Sequence, residues 1–257
     1  MAKSSAQKRS PGPLGRIVNL GASVVGCVAL AVVVVAAGFA VCAYVPATTR
    51  LLSEAFSGTA NTSTPFSHSQ LVDAAVATRA YTVTDNDLDE ILDVLHDIND
   101  DALTPYANCT DSALLAASEE YTLDSEALSH LDDVYYVVHA ATIAIVVVAL
   151  LAAAALAHVG VRCGRRRLGA VLTVAGACAL TLFAAAGVWA LVDFYGLFQV
   201  FHTLFFAQGS WTFSNESLLI TMYPLAFWMG MGATWLVVSV ALSILSIAIG
   251  RKLLARS

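Results

Sequence analysis

Four long apolar runs, nearly free of charge, constrain this chain more than any other feature of it. They cover residues 17–45, 135–158, 170–194 and 225–250, and are rich in Ala, Val and Leu. A bilayer core needs about 20 helical residues to cross it, at about 1.5 Å of rise each. Lipid offers no partner to a backbone N–H or C=O, so each run must satisfy its own as a helix. Hydrophobic residues make up 58% of the chain and charged residues 12%. An ordinary soluble domain, with about a quarter of its residues charged, is excluded. The expected fold class is an all-α integral membrane protein with four transmembrane helices.

The first run follows a basic stretch, as a signal peptide would. It is nearly twice the length of a signal h-region and reads as an uncleaved helix. Val24-Val25-Gly26-Cys27 loosely resembles a lipoprotein processing site, but apolar residues continue well past Cys27.

Charge then sets an expected orientation. Lys3, Lys8, Arg9 and Arg16 lie in residues 1–16, and Arg162, Arg165, Arg166 and Arg167 in residues 159–169. Arg251, Lys252 and Arg256 lie in residues 251–257. The positive-inside rule puts these three segments, and so both termini, in the cytoplasm. Residues 46–134 carry 17 Asp and Glu against two Arg, a formal charge of −15. They are expected to form an extracytoplasmic cap between the first two spans. Residues 195–224 join spans three and four on the same side. The arginine cluster at 165–167 suits anionic headgroups, and no nucleic-acid partner is expected. Cys109 is the only cysteine in the cap, so no disulfide forms within it, and no metal-type cysteine spacing exists.

The cap reads as mostly helical. Leu71, Ala74, Ala75, Thr78 and Tyr81 share a face of one helix at Ser67–Tyr81. Leu88, Ile91, Leu92, Leu95 and Ile98 share a face of a second, for which Asp85 is a candidate cap. Asp111–Glu120 is a weaker third. Asp85, Asp87 and Asp89 are spaced like the start of a calcium loop. Glu90 occupies its glycine position and His96 its closing Glu position, so the acids read as a solvated face. Thr122 or Asp124 can cap a further helix that runs unbroken into the second span. His130 and Asp133 then lie at i and i+3 on one face.

His202 stands in the second extracytoplasmic segment, inside the string Phe201-His202-Thr203-Leu204-Phe205-Phe206. Topology thus brings His130 and His202 to the same membrane boundary. Histidine changes charge nearest neutral pH, and an ionisable group at such a boundary is a functional candidate. On a helix, Phe198, Phe205 and Phe206 flank His202. Such rings exclude water and favour an uncharged imidazole. Trp211, Phe213, Tyr223, Phe227 and Trp228 extend the aromatic set. Taken singly, these rings also fit an interfacial anchoring belt. His139 is expected to pack or hydrogen-bond between helices, and His68 and His96 to be exposed in the cap.

Two patches carry a resemblance. The His-Leu-x-Asp-Val element at 130–134 is one, and the Phe-His-x-Leu-Phe-Phe…Trp-x-Phe…Pro-x-x-Phe block at 201–227 is the other. Together they resemble a family of bacterial four-span membrane proteins that includes the lipoprotein intramolecular transacylases, over residues 17 to 250. The resemblance implies a bacterial cytoplasmic-membrane enzyme with an extracellular cap and no cofactor or metal. Its implied substrate is a diacylated lipoprotein. One acyl chain would leave the sn-2 oxygen of the diacylglyceryl group for the α-amino group of the N-terminal cysteine. Two histidines serve that reaction in the family, and the matching positions here are His130 and His202. Phe198, Phe201, Phe205, Phe206, Trp211, Phe213, Tyr223, Phe227 and Trp228 would wall the pocket, with Asp133 orienting His130.

Ester-to-amide transfer needs a neutral amine, a stabilised oxyanion and a protonated leaving alkoxide. Two imidazoles can move both protons. Amine and ester belong to one molecule, so no Ser or Cys nucleophile is required, and orientation can supply up to about 7–11 kcal/mol. Two other readings use the same residues. A metal-dependent membrane hydrolase would take His130, Asp133 and His202 as ligands. A non-enzymatic module would use the acidic cap to meet a partner.

Overall fold

The computed structural model describes residues 12–207 and 209–256; Lys3, Lys8 and Arg9 lie outside them. Each apolar run forms the body of one long helix. These are α1 (Pro13–Tyr44), α6 (Ser125–His158), α7 (Arg165–Phe205) and α9 (Leu225–Ala255). All four are long and apolar enough to cross a membrane. The segment between α1 and α6 holds α2 (Pro46–Phe56), α3 (His68–Val83), α4 (Leu88–Asp101) and α5 (Asp111–Leu115), and α8 (Leu218–Met222) precedes α9. No strand occurs among the described residues.

The chain divides into two compact units. The first comprises residues 12–35 together with 145–181 and 240–256. Polar side chains there pair helix to helix. His158 donates from Nε2 to the Asn19 amide oxygen at 2.9 Å, and Arg167 Nε donates to Ser23 Oγ at 3.1 Å. After His158 the helix widens into a π turn over Val159–Cys163. Gly164 ends it at φ 84°, a left-handed conformation that a Cβ would strain.

The second unit comprises Ala36–Ala144 and Leu182–Ser239. Its core gathers one face of each short helix: Leu71, Ile91, Leu95, Leu114, Leu123, Leu218, Met222 and Phe227 are all at most 2% exposed. Each aliphatic side chain so buried contributes about 1.5–3 kcal/mol before entropy is counted. The apolar stripes expected of α3 and α4 are therefore the ones buried, except that Leu88, at the first turn of α4, is exposed. Thr78, the polar member of the α3 stripe, is buried beside Met222.

Local chemistry fixes where the helices begin. Ser67 and Gln70 form a reciprocal capping box at α3. Asp87, not Asp85, caps α4, accepting from the backbone of Asp89 and Glu90. Two acids of the apparent calcium spacing, Asp87 and Asp89, are thus the cap and first turn of a helix, where negative charge meets the positive end of the helix dipole. Asp124 accepts from Ala127 N at 2.8 Å and starts α6, which runs unbroken to His158 as expected. The third cap helix is shorter than the sequence implies. It stops at Leu115, and the Glu119 carbonyl accepts instead from Leu218 N at 2.7 Å. Helix α2 was not anticipated. Pro46 at its first turn starts it, and the residues it buries are Thr49 and Ser53 rather than an apolar stripe.

Candidate active site

Helix α7 is two helices joined at Asp193, whose backbone leaves helical geometry at φ −152°, ψ 81°. The Asp193 carboxylate accepts from Gly196 N at 2.8 Å. It thereby satisfies one of the donors that a new helical start leaves open. A Cβ at position 196 would collide with that carboxylate, so one of the two groups would have to shift. The restarted helix carries Phe198, Phe201, His202 and Phe205.

Asp124 starts the helix that carries His130, and Asp132 holds it. Tyr81 Oη donates to Asp132 Oδ1 at 2.6 Å, and Asn86 Nδ2 donates to the same oxygen at 3.0 Å. Burial, reinforced by the Asp132 carboxylate, keeps the Tyr81 phenol well above its ordinary pKa.

These two supports bring His130 and His202 together from separate helices. Their ring centroids are 6.4 Å apart and their planes 29° from parallel. Both residues are 8% exposed. The separation lets both imidazoles reach one small functional group, directly or through a water.

Their hydrogen bonds differ. His202 Nδ1 lies 2.8 Å from the Phe198 carbonyl. A carbonyl only accepts, so this nitrogen carries the hydrogen and Nε2 keeps the lone pair in the neutral ring. His130 Nδ1 is buried and has no hydrogen-bond partner.

Aromatic rings enclose the pair. Phe198, Trp211, Phe201 and Phe206 lie 3.9, 5.0, 5.6 and 5.7 Å from the His202 ring. Phe206 and Phe213 lie 4.9 and 5.6 Å from His130, so Phe206 touches both imidazoles. Trp228 stands behind Phe198 at 5.9 Å. Phe205 instead packs on Phe201 and Phe206 and is 49% exposed. Tyr223 and Phe227 belong to the hydrophobic core, and the Tyr223 hydroxyl donates to the Ala75 carbonyl. Burial holds that phenol above its ordinary pKa, with nearby Arg79 opposing.

Asp133 is exposed, and no hydrogen bond joins it to His130. Its neighbour Asp132, one residue earlier and so about 100° around the helix, makes the structural contacts. Among the described residues no three His, Cys, Asp or Glu side chains converge as a metal set. His139 bonds its own helix, at the Tyr135 carbonyl 3.1 Å away. In the cap, His68 is exposed, as expected. His96, expected to be exposed, is instead half-buried, with its ring 2.9 Å from the Asp111 carboxylate.

Four long apolar helices and two buried, facing histidines define a multi-pass membrane protein with a candidate acid–base site. Residues 56–228 match the family model of the lipoprotein intramolecular transacylase Lit, and the chain belongs to that family. Among solved structures it is similar to the membrane-integral Lit of Bacillus cereus. The TM-score is 0.66 at 13% identity, over 93% of this chain and 96% of that one. A form of that protein with one histidine changed to alanine aligns with a TM-score of 0.65 at 13% identity, over 95% and 96%. At such identities the likeness concerns the fold. No curated protein sequence matches the chain significantly.

Proposed function

We propose that this chain is an intramolecular transacylase of diacylated lipoproteins, acting through His130 and His202. Its acyl donor is the sn-2 ester of the diacylglyceryl group, and its acceptor is the α-amino group of the N-terminal cysteine. The reading rests on membership of the Lit family and, above all, on one observation: two buried imidazoles 6.4 Å apart inside an aromatic wall.

Protons balance as follows. The cysteine ammonium gives one proton to His130 and becomes a nucleophilic amine. The amine nitrogen attacks the ester carbonyl carbon, and the carbonyl electron pair moves onto oxygen. His202 Nε2 takes a proton from the attacking nitrogen. The carbonyl re-forms, the bond to the sn-2 oxygen breaks, and His130 delivers its proton to that oxygen. An amide and a free glyceryl hydroxyl result. His202 then releases its proton to water, so one proton leaves overall. The hydrogen bond from His202 to the Phe198 carbonyl supports the role of base, because it leaves Nε2 as the free acceptor. The rings keep competing water from the ester and press the two reacting ends of one lipid together.

The same reading places residues 46–134 and 195–224 outside a bacterial cytoplasmic membrane and both termini inside, on the charge asymmetry. The test is expression in a bacterium that makes diacylated lipoproteins and has no transacylase of its own. Mass spectrometry of a reporter lipoprotein should show the N-acyl, lyso-glyceryl form. It should be absent with His130→Ala or His202→Ala. Lyso-form product from either variant at wild-type yield sinks the reading.

A further inference from the structure

The transfer just described passes through a tetrahedral oxyanion, and neither histidine is assigned to stabilise it. Two nearby helix-start amides in this unit are already taken. Asp193 already occupies an amide at the restart of α7, and Ser217 accepts from Ile220 N at α8. Yet the second unit holds one side-chain donor that stands out. The indole Nε1 of Trp211 is buried and has no hydrogen-bond partner among the described residues. The Trp211 ring lies 5.0 Å from His202 and 36° from its plane.

A buried N–H left unpaired costs roughly 1–3 kcal/mol, and tryptophan normally avoids that cost by finding an acceptor. The other unpartnered nitrogen of the site is His130 Nδ1. Both gaps therefore lie beside the same histidine pair, whose rings are 6.4 Å apart. An indole can only donate, so what it lacks is an acceptor. The substrate supplies one at this place: the ester carbonyl oxygen, whose negative charge grows as the cysteine nitrogen attacks.

We propose that Trp211 Nε1–H is the oxyanion donor of the transacylation, a catalytic residue distinct from the two histidines. The assignment rests on the proposed function. As the C–N bond forms, the displaced carbonyl electron pair settles on oxygen, and the indole N–H hydrogen-bonds to it. When the C–O bond to the glyceryl oxygen breaks, the pair returns to re-form the carbonyl and the hydrogen bond weakens. No proton leaves the indole. A donor that binds the transition state more strongly than the ester raises kcat and leaves KM nearly unchanged.

The test uses the full-length enzyme in detergent or lipid with a synthetic diacylated lipopeptide. One variant is Trp211→Phe. In the other, 3-benzothienylalanine is installed at position 211, which keeps the bicyclic shape and lacks the N–H. The isostere is expected to fold like wild type, to keep KM, and to lose kcat by on the order of 10²-fold. Trp211→Phe should lose at least as much. An isostere with wild-type kcat overturns the assignment, because shape then accounts for the residue. If wild type itself makes no lyso-form product, the proposed function falls and this assignment with it. An active wild type with an active isostere removes only the role of Trp211.

Discussion

Tyr81 and Asp132 are joined by a 2.6 Å hydrogen bond that ties α3 to α6 two residues from His130. It fixes the helix that carries His130, a role separate from the one expected of Asp133. Replacing Tyr81 by Phe removes a bond to a charged acceptor, and should cost about 1.5–3 kcal/mol in unfolding free energy. Asp133→Asn, one residue further along and exposed, should leave stability unchanged. Thermal unfolding separates the two. Equal effects from both substitutions contradict the assignment.

The two histidines should fail independently. Each of His130→Ala and His202→Ala is expected to lower the transacylation rate by about 10²–10⁴-fold, the usual range for one general acid or base. Neither should unfold the protein, which circular dichroism can establish on the same samples.

Phe206 touches both imidazoles, while Phe205 touches neither and is half exposed. Phe206→Ala should therefore reduce activity far more than Phe205→Ala, although they are neighbours in sequence. A simple anchoring belt predicts the opposite, since the outward ring does the anchoring.

Alkaline pH should weaken the second unit. Burial raises the folded-state pKa of Tyr81 and Tyr223 above that of an unfolded phenol, about 10. The stability they confer is thus fully present below about pH 10 and drains away as pH climbs through their folded values. The unfolding free energy should fall above that point, and less steeply in Tyr81→Phe. Identical alkaline slopes for variant and wild type count against the assignment.

Gly196 and Asp193 should be energetically coupled. Asp193→Ala removes a helix cap at about 1 kcal/mol. Gly196→Ala drives a Cβ into the Asp193 carboxylate and should cost more. In the double variant the colliding group is gone, so the combined loss should be less than the sum, a departure that a double-mutant cycle reads directly.

Much of this was legible in the sequence for identifiable reasons. Runs of twenty and more uncharged residues admit one solution in lipid, so all four long helices follow from them. His130 and His202 could be paired without coordinates because topology sends both to one boundary. Three features stayed hidden. Helix α2 buries Thr49 and Ser53, and the apolar residues it packs on the core, Leu52 and Phe56, are a single i, i+4 pair too short to read as a stripe. The anchoring by Asp132 depends on Tyr81 and Asn86 lying across the fold, which no local pattern reveals. The break at Asp193 sits within a run that reads as continuous. Its one local clue is an Asp three residues before a Gly at the end of a span.

That break makes the helical phase of the site independent of the span before it. A helix that merely bent would carry any slip in the long apolar segment through to its end. Here the phase is reset at Asp193, and His202 sits nine residues into the new helix. A residue inserted before Asp193 should therefore disturb His202 less than one inserted after it. One residue added between Asp193 and His202 would turn it by about 100° away from His130.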